Sequence, residues 1–223
     1  MSENYRDVIV NAFTEESAAK FREQVIGKAM VNPDMPITIY IDSYGGYIDS
    51  LNCMLETLEQ VPNPIITICV GKAMSCGAVL LSVGDYRFCG RHSRVMVHQG
   101  SGGSQGPIES QQNNVDESKR LNKKLMTMIA SRCGMTLTDF KIIMKEKLTK
   151  GDDEARDMYL SAEASVEIGI VDFIGMPHIE PVIQYAIKPA PEKVYKLEKP
   201  KKKAKKKTKK KTKKKAKKKA KKS

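Results

Sequence analysis

Short apolar runs rich in β-forming residues alternate with amphipathic helical patterns through the first part of the chain. Val8–Val10 and Ile37–Ile41 predict strands, and a helix capped by Thr14 and reaching about Val31 separates them. Because strands joined through a helix pair in parallel, this alternation predicts an α/β fold with a largely parallel sheet. The expected core-facing positions of that first helix are Ala18, Phe21, Val25 and Ala29.

A Gly/Ser loop at residues 100–106 divides this region from a more helical part. A long helix is predicted from Ile108 to Cys133 and is ended by Gly134, a residue that favours a left-handed cap. Its polar start buries little, so the helix is expected to project from the domain or to meet another subunit. The other predicted elements are helices at Ile48–Leu58, near Ser75, from Thr136 and from Ser161, and strands at Ile65–Val70, residues 93–99 and Ile170–Ile174.

The net charge of +13 comes from the C-terminal end of the chain. Residues 201–223 contain 17 Lys and no acidic residue, so residues 1–200 carry a net charge of 13 − 17 = −4. Such a segment cannot bury enough apolar surface to offset the conformational entropy that is lost on ordering. We therefore predict a disordered Lys-rich tail. Two interpretations stay open: a solvated extension without a partner, or weak, salt-dependent contacts with nucleic acid or other anionic surfaces.

The five cysteines form no CxxC pair, and most lie within apolar stretches where a free thiol behaves as a small hydrophobic group. The N-terminus shows no signal-peptide pattern, and no apolar run reaches the about 18 residues that a membrane helix needs. These features predict a reduced, cytoplasmic protein without a membrane partner. No metal or cofactor is predicted.

The segment GKAMSCGA (71–78) places Ser75 at a sharp turn between a β-rich run and an apolar helix. Free backbone N–H groups and the helix dipole at such a turn favour an oxyanion. Serine is also a preferred N-cap, so this segment by itself favours a structural role. His98, at the end of the strand SRVMVHQ, and Asp157, within EARDMYLSAE, also have structural or surface interpretations when each is taken alone.

Together, three separated segments resemble the proteolytic subunit of the Clp protease family: IYIDSYGG, GKAMSCGAVLLSVGDYRFCGRHSRVMVHQGSGGSQG and RDMYLSAEASVEIGIVD. The resemblance covers about residues 6–176 and implies a crotonase/Clp-like ββα superhelix with a protruding helical handle. It implies a serine endopeptidase with Ser75, His98 and Asp157 as catalytic triad. We accordingly expect a protease domain at residues 1–180, a linker at 181–198 and the disordered Lys-rich tail at 199–223.

The resemblance also implies how a peptide is held. The backbone N–H groups of Gly46 and Cys76 match the oxyanion donors of the family. The Gly45–Gly46 turn and the loop residues Ser101, Gly102 and Gly103 are expected to offer strand edges that pair with an extended unfolded polypeptide.

The family assembles as two stacked heptameric rings, so a homo-oligomer, a tetradecamer, is expected, with the long helix as the contact between rings. A Clp ATPase is the expected partner. In the family, the residues before the first strand form an axial loop that helps to dock the ATPase. Only about five residues precede Arg6 here, which implies a shortened axial loop and a weakened, altered or absent coupling to the ATPase. Two further departures are Tyr44, where the family usually has Pro, and a shortened loop at Asp85–Arg87.

Other interpretations remain at this stage. One is a phage-type or signal-peptide-peptidase-like relative of the same fold that works without a Clp ATPase. The latter kind uses a Ser–Lys dyad and a membrane anchor, and the intact His98 and Asp157 segments argue against it. Another is an inactive structural subunit, but such chains usually lack triad residues. A nucleic-acid-binding protein is disfavoured because the positive charge lies in the tail.

Overall fold

The computed structural model describes residues 7–100, 107–147 and 157–178, which form a mixed α/β fold around a mostly parallel sheet. The predicted order of strands and helices is confirmed in its main parts. The strands are β1 (Val8–Val10), β2 (Ile37–Ser43), β3 (Ile65–Met74), β4 (Tyr86–Cys89), β5 (Arg94–His98), β6 (Asp157–Ser161) and β7 (Phe173–Ile174). The helices are α1 (Glu15–Val31), α2 (Ile48–Glu59), α3 (Cys76–Ser82), α4 (Ile108–Arg132), α5 (Leu137–Lys147) and α6 (Ala162–Ile168).

The sheet divides at β3. Strands β1, β2, β3, β4 and β7 lie side by side and are all parallel. The first part of β3 pairs with β4, whereas residues 72–74 pair with β5. Strand β6 then runs antiparallel to β5 and places His98 opposite Asp157. This division places the C-terminal ends of β3 and β5 and the N-terminal start of β6 at one edge of the sheet.

Helix α1 follows its sequence pattern closely. The Thr14 side chain accepts a hydrogen bond from the Ser17 N–H, and the Ser17 hydroxyl accepts one from the Thr14 N–H, which satisfies the free donors of the first turn. The predicted core positions Ala18, Phe21 and Val25 are buried, and Ala29 packs partly buried against the core. Apolar residues at helical spacing therefore fixed the inner face of α1.

Two strands of the structure were not predicted from the sequence. Residues 85–87 were expected to form a loop, but Tyr86–Cys89 is β4, and the segment of Asp157 is β6. Charged residues inside both short strands hide the alternation of apolar residues that would predict them. Strand β3 also continues past Val70 to Met74, through Gly71 with a φ of +84°.

Helix α4 lies largely exposed along its first part, as its polar start predicted. Its buried residues, Leu125, Met126, Ile129 and Ala130, all lie toward its C-terminal end. Gly134 follows with a φ of +71°, which confirms the predicted left-handed cap. Among the residues that the structure describes, no helix is both long enough and apolar enough to cross a membrane.

An arginine network ties α3 to the far side of the domain. The Arg132 guanidinium donates hydrogen bonds to the carbonyls of Ser82 and Val83 at 2.9 and 3.1 Å, and also to that of Gly84. Cationic donors at this place satisfy the free carbonyls at the end of α3 and complement the helix dipole. The C-terminal end of the helix that begins beside Ser75 is thereby anchored to α4.

Arg87 extends this network to the strand β7. Its side chain donates to the carbonyls of Arg132 and Gly169 and pairs with the Asp172 carboxylate. The backbone N–H of Arg87 donates to the same carboxylate at 2.9 Å. Partial burial by itself would raise the pKa of Asp172, but the hydrogen bonds from Arg87 outweigh it and lower that pKa.

We predict that Asp172→Asn destabilises the protein by about 1.5–3 kcal/mol at neutral pH, because charge-assisted hydrogen bonds to Arg87 are lost. A carboxyl whose folded-state pKa is lowered stabilises the fold above its unfolded pKa, near 4, and loses that contribution as the pH falls through the folded value. The difference between variant and wild type should therefore shrink in strong acid. Urea unfolding at several pH values measures it. The exposed Asp34→Asn is the control, and an equal effect of both substitutions would contradict the prediction.

Candidate active site

Ser75 lies between β3 and α3 in a backbone conformation that serine rarely adopts. Its φ of +55° is the only positive φ of a non-glycine residue within the described ranges. Its N–H donates to the carbonyl of Met96 at 2.9 Å, which ties the turn to β5. The Ser75 side chain makes no capping hydrogen bond to α3, so the structural alternative for this residue is not supported. Strain of this kind is often stored at functional sites.

The His98 imidazole lies beside that hydroxyl. Strand β5 ends at His98, and the distance from its Nε2 to Ser75 Oγ is 2.8 Å, a hydrogen-bond distance. The Nδ1 on the other side of the ring is 3.5 Å from Asp157 Oδ1. The structure thus brings together the three side chains that the sequence segments proposed, in the order hydroxyl, imidazole, carboxylate. The second contact is longer than a good hydrogen bond, as is common before substrate binds.

The position of Asp157 depends on β6. Asp157 is the first residue of this strand and the register partner of His98, the last residue of the antiparallel β5. Directly opposite residues of antiparallel strands have adjacent side chains, so this pairing holds the carboxylate against the ring. Local sequence could not reveal it, since the two residues lie far apart in the chain.

The Gly45–Gly46 turn packs against Ser75. Gly45 has a φ of +109°, and a Cβ there would lie only 2.7 Å from Ser75 Cβ and 3.0 Å from the Met74 carbonyl oxygen. The Gly45 N–H donates to Ser43 Oγ at 3.1 Å, and the Tyr47 N–H donates to the carbonyl of Phe13 at 2.9 Å. Only glycine permits this close approach, which brings Gly46 to the start of α3.

The N–H groups of Gly46 and Cys76 are available for an anion. Cys76 is the first residue of α3, where the backbone N–H has no partner within the helix. Within the described chain, neither N–H donates one of the backbone hydrogen bonds that hold the turns together. Two such donors beside a serine hydroxyl can stabilise a developing oxyanion.

A cleft of about 140 Å³ opens beside these groups. Apolar and polar groups contribute about equally to its wall, and it reaches from the Ser75–His98 pair to the buried part of α4. The lining residues are Gly46, Ile48, Ser75, Cys76, Val79, Val97, His98, Gly100, Asn122, Leu125, Met126 and Ile129. A cleft in which apolar side chains surround a few convergent polar groups is the usual form of a binding site.

Asn122 is a site residue that the sequence analysis missed. It lines the cleft from α4, and its Oδ1 accepts a hydrogen bond of 3.0 Å from the N–H of Gly100. The bond fixes the backbone just after His98. The polar start of α4 gave no signal that one of its amides would turn inward.

The remaining predicted site residues Ser101, Gly102 and Gly103 lie outside the described residues, so their expected pairing with substrate stays a prediction. A larger groove of about 490 Å³ lies elsewhere, near the C-terminal ends of α2 and α4. Of its three charged residues, Asp85 and Arg132 already bind backbone groups of the fold, and Glu59 is the last residue of α2. In the described part of the chain, no three potential metal ligands gather.

A serine hydroxyl, an imidazole and a carboxylate in contact order, beside free amides at a helix start, define the site of a serine hydrolase on an α/β sheet. The Clp protease family model matches residues 3–178. The chain is also 34% identical over 163 residues to the ATP-dependent Clp protease proteolytic subunit 1 of Prochlorococcus marinus (strain MIT 9312), covering 72% of this chain and 78% of that protein.

The chain therefore belongs to the Clp protease family, and it is the proteolytic type of subunit, a serine endopeptidase. The resemblance found in the sequence is confirmed. The alternative of a phage-type or signal-peptide-peptidase-like relative is not favoured by these comparisons.

We predict that Gly45→Ala lowers peptide hydrolysis about 100-fold or more, because the new Cβ must displace the turn or Ser75. Gly134→Ala is the matched control: its φ is also positive, but no atom lies within 4 Å of the added Cβ. It should cost about 1 kcal/mol in stability and leave hydrolysis unchanged. Peptide assays and melting curves compare the two, and full activity of Gly45→Ala would refute the prediction.

Proposed function

We propose that Ser75, His98 and Asp157 form the catalytic triad of this peptidase. The observation that carries the proposal is the 2.8 Å contact between His98 Nε2 and the Ser75 hydroxyl. An isolated serine hydroxyl is a poor nucleophile, and an imidazole at this distance can accept its proton as it attacks. Asp157, on the far side of the ring, orients the imidazole and stabilises its protonated form.

The reaction follows from these positions. Ser75 Oγ attacks the peptide carbonyl while its proton passes to His98 Nε2, and the carbonyl oxygen becomes an oxyanion. The N–H groups of Gly46 and Cys76 bind that oxyanion. His98 then gives the proton to the leaving amine, which departs and leaves an acyl-enzyme. A water molecule then attacks the acyl carbon while His98 takes its proton, and His98 returns that proton to Ser75 Oγ as the peptide acid leaves.

The cleft supports an unfolded polypeptide as the substrate. The apolar part of its wall, formed by residues such as Ile48, Val79 and Met126, suits an apolar side chain next to the scissile bond. Nothing charged lies among its lining residues apart from the titratable His98. An extended chain can continue past it by pairing with the backbone at Gly45–Gly46 and at residues 101–103.

We also propose that the protein is a barrel of two heptameric rings with α4 as the handle between them. Helix α4 exposes the apolar residues Ile108 and Val115, at 85% and 42%, on an otherwise polar surface. Their spacing of seven residues places both on one face of α4, where a second subunit would cover them together. The name of the Prochlorococcus marinus relative contains the words ATP-dependent Clp protease, and a Clp ATPase is the proposed partner of this chain. Residues 181–198 as a linker, residues 199–223 as a tail and a cytoplasmic location remain proposals.

The triad assignment is tested by labelling Ser75 with a fluorophosphonate and by peptide hydrolysis. Ser75→Ala and His98→Ala should lower kcat about 10⁴–10⁶-fold and Asp157→Asn about 10⁴-fold, since each removes a proton-transfer or orienting group. His92→Ala, at the exposed turn before β5, is the control and should keep wild-type activity. Labelling that persists in Ser75→Ala, or a fully active His98→Ala, would overturn the assignment.

The assembly is tested by sedimentation. Wild type should sediment at many times the 24.9 kDa of one chain, and Val115→Glu should reduce that mass because a charge enters the proposed contact. Asn113→Glu, at an exposed polar position on the opposite face of the same helix, is the matched control and should sediment as wild type. A monomer at micromolar concentration would contradict the proposed barrel.

A further inference from the structure

The thiol of Cys76 lies where the two proposed oxyanion donors meet. Its Sγ is 3.3 Å from the carbonyl oxygen of Gly46, within reach of an S–H···O hydrogen bond. The residue is 3% exposed and lines the cleft. One side chain therefore connects the helix that carries one donor to the turn that carries the other.

The thiol is a donor here and not a second nucleophile. Burial raises the pKa of Cys76, and hydrogen bonds with the backbone of Gly46 and with the side chain of Ser75 offset this only in part. A thiol with a raised pKa keeps its proton at neutral pH. That proton points to the carbonyl oxygen of Gly46, the nearest acceptor given by the structure.

With the thiol hydrogen bond, the peptide group between Gly46 and Tyr47 is hydrogen-bonded on both sides. The peptide group that follows Gly46 contains the Gly46 carbonyl and the Tyr47 N–H. The N–H donates to the Phe13 carbonyl at 2.9 Å, and the carbonyl accepts from Cys76. On the Phe13 side there is no free space, since a Cβ on Gly46 would lie 2.5 Å from the Phe13 oxygen. Fixing this unit on both sides fixes the orientation of the Gly46 backbone.

We propose that the Cys76 side chain is a positioning residue that sets the distance between the N–H of Gly46 and its own N–H. The inference rests on the proposed role of these two groups as oxyanion donors. An oxyanion hole works only when both donors lie about 3 Å from the oxygen, and glycine at 46 leaves the turn free to rotate without a second anchor. The thiol supplies that anchor from the first turn of α3.

The test replaces the thiol in three ways. Cys76→Ala and Cys76→Val both remove the donor, and the side chain is smaller than that of Cys in the first and somewhat larger in the second. Both should lower kcat about three- to tenfold, the range expected for one lost hydrogen bond, with little change in KM. Cys76→Ser keeps a donor on a shorter side-chain bond, so its kcat should lie between those of the other two variants and that of the wild type.

Two ligands separate positioning from packing. A peptidyl boronic acid forms a tetrahedral adduct with Ser75 and needs the oxyanion donors, whereas the same peptide with a hydrogen atom in place of the boronic acid group needs only the cleft. In Cys76→Ala and Cys76→Val the boronate should bind about three- to tenfold more weakly, and the boron-free peptide should bind within about twofold of wild type. Val79→Ala, one turn further along the same wall, should weaken both ligands alike. Cys53→Ala, in α2 away from the cleft, should change neither.

The outcomes are distinct. Unchanged boronate affinity in Cys76→Ala and Cys76→Val, or an equal loss of both ligands as in Val79→Ala, would show that the thiol is only part of the cleft wall and would overturn the inference. If melting curves show that these two variants are unfolded, Cys76→Ser decides, since its affinity for the boronate relative to the boron-free peptide must still fall. Absence of Ser75 labelling in the wild type would overturn the proposed function itself.

Discussion

The site depends on the backbone of Ser75, which is held with a φ of +55° between β3 and α3. The hydrogen bond from its N–H to the Met96 carbonyl ties this turn to β5, the strand that ends at His98. One interaction thus fixes the hydroxyl relative to the imidazole before any substrate binds. Because the side chain makes no capping bond, the hydroxyl stays free for chemistry. Such a conformation persists only when the surrounding structure holds it, and the rest of the fold supplies that support.

Support comes from both ends of α3. At its start, the close approach of Gly45 to Ser75 and the thiol of Cys76 bring the Gly46 turn against the helix. At its end, Arg132 satisfies the carbonyls that the last turn leaves free, and Arg87 and Asp172 continue the network. The buried body of the helix is entirely apolar or small apart from Ser82. A short helix of seven residues is in this way made rigid by tertiary contacts and not by its own propensity.

The same elements of the fold line the cleft and position the polar side chains of the site. Asn122 binds the backbone just after His98, and the same helix α4 contributes Leu125 and Ile129 to the cleft. Helix α4 therefore lines the cleft and also binds the backbone just after β5, while its first part lies exposed. The exposed part and the part that lines the cleft belong to one uninterrupted helix.

The sequence by itself determined the α/β class, most element positions, the inner face of α1 and, through three separated segments, the residues Ser75, His98 and Asp157. The fold elements depend on local patterns such as apolar spacing and a glycine after a helix, whereas the three site residues were predicted from the resemblance of their segments to the Clp protease family. Tertiary structure alone decided that β4 and β6 are strands, that Asn122 faces the cleft and that Arg87 pairs with Asp172. Each of these depends on partners distant in the chain, and charged or polar residues whose partners are distant carry no local signal. The contact between His98 and Asp157 belongs to this second group, because strand register and not sequence spacing creates it.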